Sequence, residues 1–336
     1  MVSRVPARPR VLVSRTDRIG DVVLTLPLCA VLREALGATV VFLGRAYTRP
    51  VLEAAAAVDE VLEWDDAAPP AARRAVVAGA RADVVVHAFP RPTVARAALA
   101  ARVPLRVGTS RRWYHWLTCN RLESVARRDS PLHEAQLNVR LARSLLPRAD
   151  QSLAELAPLA RLTPRVAVPG AVAPLLAPDR FTLVIHPRSA GSGREWPLAS
   201  WGALVAALPA DRFRVLVTGS ADEGRAIAAW TAALPAHAHD LTGRLSLAEL
   251  VAVLAAADGV VAASTGPLHL AAAAGARTLG LFPPVRPIHP GRWAPLGPRA
   301  EVLVAPGPGA ADAADLAAIP AAAVRARVEA WAAEGG

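Results

Sequence analysis

Short apolar strands alternate with helices along almost the whole chain, and this order constrains the fold more than any other feature. In the first half, apolar runs such as Val11–Ser14 and Thr39–Leu43 are each followed by a helical pattern. The alternation restarts at Phe181–Ile185. Strands separated by helices every roughly 20 to 30 residues are typical of parallel sheets covered on both faces. The sequence therefore predicts an α/β protein of two doubly wound, Rossmann-like domains facing a central cleft, with ligands at the carboxyl ends of the strands.

A proline-rich stretch separates the two halves. Prolines recur through Pro147–Arg180 with only scattered charges, which is typical of a connector. We expect an N-terminal domain over residues 1–165, a linker over 166–180 and a C-terminal domain over 181–310. Residues 311–336 are expected to form a C-terminal helix that packs back towards the N-terminal domain.

The charge balance favours anionic partners. All 38 basic residues are arginine, and the formal net charge is +10. Nucleotide sugars, phosphorylated acceptors or an acidic membrane face suit such a charge. Most of the chain lacks the basic helices and interleaved aromatic residues typical of nucleic-acid binding, so no nucleic-acid partner is expected.

The two cysteines, Cys29 and Cys119, form no disulfide framework, which favours a reducing compartment. The basic N-terminal segment lacks the apolar core of a signal peptide, and no apolar run reaches membrane-span length. We therefore expect a cytoplasmic protein with no transmembrane segment, for which peripheral membrane contact stays open.

The segment Ser264–His269 follows the apolar strand Gly259–Ala263 and opens a helix. Thr265 suits the N-cap, and Pro267 suits the first helical position, where its missing N–H costs nothing. The free N–H groups and dipole of the helix start favour a phosphate or diphosphate. Many such turns bind nothing, so on its own this turn fits an ordinary strand-to-helix connection equally well.

A second candidate site follows the first strand. Gly20 allows a close approach of the backbone to a ligand, and Asp21 lies near the start of a helix. Asp21 could be a helix cap, a carboxylate stabilised by the helix dipole, or an exposed general base. A cap is the commonest of these roles. The turn has no G-x-G-x-x-G pattern, which argues against a nicotinamide enzyme.

The loop 186–197 places glycine and serine between Arg188 and Arg194. Such a loop could close over a diphosphate, with Arg194 as a forked cation, or it could be a mobile surface loop. Glu223, at the next strand-to-helix turn, could accept hydrogen bonds from ribose hydroxyls or simply favour the helix start.

Taken together, four segments resemble the bacterial heptosyltransferases of glycosyltransferase family 9, typified by ADP-heptose:lipopolysaccharide heptosyltransferase. In family order they are Asp17–Pro27, His186–Pro197, Asp240–Gly243 with Leu247–Leu250, and Ser264–Ala271. The resemblance implies a GT-B fold, with the acceptor in the N-terminal domain and the nucleotide sugar in the C-terminal one. It implies inverting transfer of a sugar, usually a heptose from ADP-heptose, by direct displacement. The lack of a D-x-D motif suits transfer without a metal, and no cofactor is expected besides the nucleotide-sugar substrate.

The same resemblance assigns roles to individual residues. Asp21, beside Gly20, matches the proposed general base that takes the proton of the acceptor hydroxyl. Arg194 stands where the family usually has lysine and would contact the donor phosphates. The remaining donor residues are Arg188 and Ser189 on the same loop, Glu223 at the ribose, Leu245 with its backbone at adenine, and Ser264, Thr265, Gly266, Pro267 and His269 at the diphosphate.

Two positions depart from the family pattern. Some relatives have aspartate where this chain has Ser264, and the strand that usually ends Phe-Gly here ends Phe282-Pro283. These departures leave the donor sugar and the shape of the donor loop open.

The acceptor side is less defined. Arg111, Arg112 and Trp113 belong to a basic and aromatic segment that could line an acceptor site, with a ring for a sugar and charges for phosphate or carboxylate. A surface helix with its aromatics packed inward and its arginines solvated fits equally well. The acceptor could be a glycan, a lipid-linked molecule or a small molecule.

Two other functions use the same fold. A nucleotide-sugar-binding protein without catalysis is the main alternative. A sugar-phosphate epimerase would need an acid/base pair around the donor carbon, for which the sequence offers no candidates.

Overall fold

The computed structural model describes residues 6–127, 130–189, 191, 193–306 and 315–334. Two compact units, Met1–Thr163 and Pro164–Gly336, divide the chain. Residues 190 and 192 of the expected diphosphate loop lie outside the described residues, as do 307–314, which include the expected boundary at residue 310.

The first unit is built on six parallel strands in the order β3-β2-β1-β4-β5-β6. The strands are β1 Arg10–Ser14, β2 Thr39–Gly44, β3 Glu60–Glu63, β4 Val84–Val86, β5 Leu105–Thr109 and β6 Arg121–Glu123. The helices are α1 Ile19–Val23, α2 Leu26–Leu36, α3 Arg49–Ala54, α4 Pro70–Gly79, α5 Pro92–Ala100, α6 Trp113–Thr118, α7 Glu134–Leu141 and α8 Leu153–Leu156.

The second unit repeats this topology, with its six parallel strands in the order β12-β11-β10-β7-β8-β9. The strands are β7 Phe181–His186, β8 Phe213–Val217, β9 Ala238–Asp240, β10 Gly259–Ala263, β11 Arg277–Phe282 and β12 Ala300–Val304. The helices are α9 Leu198–Ala207, α10 Ala221–Ala232, α11 Leu247–Ala256, α12 Gly266–Ala273, α13 Pro290–Trp293 and α14 Ala321–Glu334.

In each sheet the strand order reverses next to its first strand. The reversal lies between β1 and β4 in the first unit and between β7 and β10 in the second. Loops on either side of such a point diverge to opposite faces of the sheet and leave a crevice at its carboxyl edge. Asp21 follows β1, Arg194 follows β7 and Thr265 follows β10, so the topology confirms the expected doubly wound fold and places these three residues at the crevices.

The central strands are buried along their length, as parallel strands covered by helices on both faces must be. All five residues of β10 are buried. In the second unit, Trp196, Trp201 and Trp331 are almost fully buried in one cluster with Phe213. Trp331 belongs to α14, which packs on α9 within the second unit.

The first helical segment is interrupted close to Pro27. The segment breaks into α1 and α2 at Leu24 and Thr25, and Pro27 lies in the first turn of α2. Asn138 fills the break, because its Nδ2 donates to the carbonyl oxygen of Leu24 at 3.0 Å and to the hydroxyl of Thr25 at 3.1 Å. Gly37, with φ of 61°, ends α2 in the left-handed conformation that glycine adopts without strain.

No helix within the described part of the chain is long and apolar enough to cross a membrane.

Candidate active site

The turn between β10 and α12 keeps a buried hydroxyl without a partner. Thr265 occupies the N-cap position in an extended conformation, but its side chain does not cap the helix. Only 4% of Thr265 is exposed, and its Oγ1 finds no hydrogen-bond partner among the described residues. Such a group costs about 1–3 kcal/mol when left unpaired. Together with the free N–H groups of the helix start, it makes this turn suitable for an anionic ligand.

The other residues of the turn lie close to their predicted places. The helix begins at Gly266, one residue earlier than expected, so Pro267 is its second residue rather than its first. His269 is buried in the first turn. Ser264 is half-buried at the end of the strand.

The loop after β7 is organised by Glu195, a residue to which the sequence analysis gave no role. Glu195 Oε1 accepts from the backbone N–H of Ser189 at 2.8 Å and from its hydroxyl at 2.9 Å. Its second oxygen pairs with Arg188 at 2.6 Å. Arg188 is thus partly neutralised, whereas Arg194 is exposed and forms no ion pair with any described residue. Among the described residues of this loop, Arg194 is therefore the cation available to a ligand.

This loop lies directly on the β10–α12 turn. A β-carbon added to Gly193 would lie 2.6 Å from the carbonyl oxygen of Ser264. Glycine is needed for so close an approach of two backbones. The contact brings the loop of Arg194 and the turn of Thr265 together in the crevice between β7 and β10.

Glu223 is a helix-capping residue in the structure. Its Oε2 accepts from the backbone N–H of Ser220 at 2.7 Å, and its own N–H donates to the Ser220 hydroxyl at 3.3 Å. His186 Nε2 lies 4.0 Å from the same carboxylate. Burial lowers the pKa of His186 despite this neighbour, so the imidazole is neutral. Glu223 Oε1 makes no hydrogen bond within the described residues, which leaves one oxygen for a ligand.

The turn that carries Leu245 packs beside Glu223. Gly243 donates its N–H to the carbonyl oxygen of Gly219 at 2.9 Å. With φ of 70° and the Cα of Ala221 only 2.9 Å from any added β-carbon, Gly243 has no room for a side chain. Leu245, half-buried two residues later, therefore lies next to the start of α10. The structure thus brings the predicted donor residues of the second unit to one edge of one sheet.

In the first unit, Asp21 is the third residue of α1, and the N-cap is Arg18. The interpretation of Asp21 as a helix cap is therefore wrong. Asp21 is also less open than expected, because its side chain is 18% exposed and pairs with Arg15 Nη2. Gly20, the preceding residue, is half-buried.

Arg15 is a buried cation directly after β1, and sequence reasoning missed it. Its guanidinium also bonds Asp17 Oδ1 at 2.8 Å and Glu134 Oε1 at 3.0 Å. Glu134 is shared with Arg127, whose Nη2 donates to Asn138 Oδ1 at 3.0 Å. The local sequence offers one signal for Arg15, namely a charged residue directly after an apolar strand. Its partner Glu134 is too far away in the sequence to be predicted.

Asp17 responds to this crowded setting. Burial raises the pKa of Asp17 to about 6, with Arg15 opposing and Asp21 assisting the shift. The two aspartates therefore compete for one guanidinium, and Asp17 holds a proton more readily than an exposed aspartate.

The predicted acceptor segment forms the start of α6, at the carboxyl end of β5. Arg111 and Arg112 are exposed, and Trp113 is largely exposed. Of the two interpretations of this segment, the one in which the aromatics pack inward describes Tyr114 but not Trp113 or Trp116.

Comparisons with known proteins agree with this architecture. The family model described as glycosyltransferase family 9 (heptosyltransferase) matches residues 118–315. A Haemophilus influenzae protein named "Putative glycosyltransferase" is 26% identical over 303 residues, covering 85% of this chain and 86% of that protein.

Solved structures share the fold over nearly the whole chain. A glycosyl transferase family 9 structure from Veillonella parvula superposes with a TM-score of 0.82, at 16% identity and 98% coverage of both chains. Escherichia coli ADP-heptose lps heptosyltransferase II gives 0.76 at 21% identity, covering 97% of this chain and 99% of the other. Escherichia coli heptosyltransferase WaaC with ADP gives 0.75 at 22% identity, covering 96% and 99%.

The fold and the site thus define a glycosyltransferase of the two-domain GT-B type. The chain belongs to glycosyltransferase family 9, the heptosyltransferases.

Proposed function

We propose that this enzyme transfers a heptose from ADP-heptose to a hydroxyl of a glycan, lipid-linked or small-molecule acceptor, with inversion and without a metal. The observation that carries the proposal is the contact of Gly193 with Ser264, which joins the loop of Arg194 to the turn of Thr265. Two similar structures support the choice of donor: WaaC with ADP, and WaaC with ADP-2-deoxy-2-fluoro heptose at a TM-score of 0.70 and 22% identity over 95% of this chain and 99% of that one.

The candidate donor residues follow four adjacent strands in the order β9-β8-β7-β10. Leu245, Glu223, Arg194 and Thr265 come after these strands in turn. Strands in a sheet are about 4.8 Å apart, so three intervals span about 14 Å. That is close to the length of an extended nucleoside diphosphate. In the proposed pose the base contacts the Leu245 backbone, the ribose bonds Glu223 Oε1, and the diphosphate lies at Thr265 and Arg194.

In the proposed reaction, Asp21 removes the proton of the acceptor hydroxyl as its oxygen attacks the anomeric carbon. The bond from that carbon to the diphosphate breaks on the opposite face, which inverts the configuration. Charge builds on the departing diphosphate, where the N–H groups of α12 and Arg194 offset it. Arg15 fixes the orientation of the Asp21 carboxylate through their ion pair. In this pose the negative charge of the diphosphate is offset by protein groups, so the proposed reaction uses no metal ion.

A calorimetric titration of the full chain with ADP-heptose, followed by a transfer assay, tests the proposal. A ligand at about 100 times its Kd adds about 2.7 kcal/mol to the free energy of unfolding, so a thermal-shift screen of other nucleotide sugars would identify a different donor. Binding without turnover on any acceptor would favour the non-catalytic alternative. We place the reaction in the cytoplasm, because the thiols of Cys29 and Cys119 are free, as in a reducing compartment.

A further inference from the structure

The three most exposed large hydrophobic residues of the described chain lie together on α6. Trp113 is 70% exposed, Trp116 64% and Leu117 71%. Their spacing of three and four residues puts them on one side of the helix, here called the α6 face. Contiguous apolar surface of this kind marks an interaction site.

The opposite side of α6 is anchored in the first unit, so the α6 face is held outward. Tyr114 and His115 are buried, and His115 Nδ1 accepts from the backbone N–H of Thr109 at 3.0 Å. Trp116 Nε1 donates to the carbonyl oxygen of Ser110 at 3.0 Å. The polar atom of the Trp116 ring is thus satisfied by the protein, although 64% of the residue is exposed.

The sequence on either side of the α6 face is strongly basic. The sequence from Asp83 to Glu123 contains no other acidic residue, but it includes seven arginines. Glu123, the nearest carboxylate along the chain, is buried and paired with Arg143. Arg111 and Arg112, directly before α6, are exposed and form no ion pair with any described residue.

We propose that the α6 face docks on the surface of an anionic phospholipid bilayer. Trp113, Trp116 and Leu117 would lie at the boundary between headgroups and acyl chains, where amphipathic indole rings are favoured. Arg111 and Arg112 would meet lipid phosphates. Stable binding to a membrane surface needs two kinds of contact, and here the apolar side chains of the α6 face lie beside two arginines without ion pairs in the described chain.

A bilayer suits this surface better than a second copy of the chain. A stable protein interface buries about 800 Å² on each partner, which is more than three side chains of a six-residue helix provide. A second copy would also bring another unpaired Arg111 and Arg112 towards the first.

Docking would hold the candidate active site close to the membrane. The α6 face begins at the carboxyl end of β5, and Asp21 follows the carboxyl end of β1 in the same sheet. The two strands are separated by β4, which puts them about 10 Å apart. Such an arrangement would favour an acceptor carried by a lipid, although docking itself requires no substrate.

Co-sedimentation of the full chain with vesicles, without any sugar nucleotide, tests the proposal independently of the transfer reaction. We expect binding to phosphatidylcholine mixed with phosphatidylglycerol, weaker binding to phosphatidylcholine alone, and release at about 1 M salt, where the Debye length is about 3 Å. Trp113→Ser with Trp116→Ser should weaken binding at least about tenfold. Arg111→Ala with Arg112→Ala should weaken it about 30-fold on the mixed vesicles.

Matched controls make the result specific. Val302→Ser with Val304→Ser removes exposed apolar surface from β12, and Arg73→Ala with Arg74→Ala removes the same charge from α4; both should bind as the wild type does. The proposal is overturned if the wild-type chain leaves the mixed vesicles in the supernatant. It is also overturned if the tryptophan variant binds the mixed vesicles normally. A loss of self-association in that variant would then indicate a second copy of the chain as the partner, and a raised KM for a water-soluble acceptor would indicate an acceptor site.

Discussion

Gly193 lies so close to Ser264 that a β-carbon on it would be 2.6 Å from the Ser264 carbonyl oxygen. The contact joins the loop after β7 to the turn after β10, the two strands that flank the reversal of strand order in the second sheet. It also sets the position of Arg194, the next residue, relative to the start of α12.

Replacing Gly193 with alanine should therefore weaken donor binding. The added methyl group must push the loop away from the Ser264 carbonyl oxygen, because a backbone atom cannot move aside as the end of a flexible side chain can. We expect the Kd for the nucleotide sugar to rise about tenfold, equivalent to about 1.4 kcal/mol, in a titration by calorimetry. Gly170→Ala is the control, because a β-carbon there meets nothing within 4 Å. Equal donor affinities in the two variants would contradict the assignment of this contact.

Asp21→Asn should abolish most of the transfer while sparing donor binding. The amide keeps the shape of the side chain and can accept a hydrogen bond from Arg15, but it cannot take a proton from the acceptor. Loss of a general base costs about 10² to 10⁴ in kcat. Single-turnover transfer and donor titration together check this. A variant that retains near wild-type kcat would show that another group is the base.

Asp17→Asn should change how stability depends on pH. Because burial raises the Asp17 pKa to about 6, the folded chain keeps a proton there that the unfolded chain releases near pH 4. This group therefore lowers the free energy of unfolding as pH rises from about 4 to about 6, by about 2 kcal/mol. Urea unfolding across this range should show the variant gaining stability relative to the wild type as pH rises. A constant difference would indicate that Asp17 is ionised throughout.

His87→Gln should alter acid stability with the opposite sign. Burial lowers the pKa of His87 to about 3, and His115 stacks on it at 5.4 Å between ring centroids. The unfolded chain binds a proton below about pH 6.5, so this group costs stability as pH falls through 6.5 towards 3.

Between pH 7 and 5, unfolding experiments should show the wild type losing about 2 kcal/mol relative to His87→Gln. His289→Gln, at a half-buried histidine, is the control and should show a smaller change. A larger change in the control would place the acid-sensitive group outside the first unit.

Much of the architecture could be predicted because it depends on local pattern. The predicted strand Gly259–Ala263 agrees with β10 residue for residue, and the predicted strands Thr39–Leu43 and Phe181–Ile185 each differ from the observed strand by one residue at one end. The turn at Thr265 could be located because a threonine followed by a proline, directly after an apolar strand, is typical of a helix start. The strand β6 was missed, since its three residues Arg-Leu-Glu form no apolar run.

The capping role of Asp21 was favoured by frequency and is wrong, because the helix begins at Ile19 and Asp21 is its third residue. Only the tertiary structure shows that a buried arginine, Arg15, pairs with its carboxylate. In the same way, a Trp-Tyr-His-Trp-Leu sequence does not say which rings face water. The packing of Tyr114 and His115 into the first unit decided that.

The sequence by itself determined the order of strands and helices, the helix-start turn at Thr265, and the resemblance to the heptosyltransferases, because these depend on residues close together in the chain. Only the tertiary structure decided that Arg15 lies between Asp21 and Glu134, that Gly193 lies against Ser264, and that Trp113 and Trp116 face outward. Each of these contacts or exposures depends on which strands are neighbours in the sheet and on which helix face is packed. Local sequence pattern fixes neither, because loop closure can bring many different segments together at similar entropic cost.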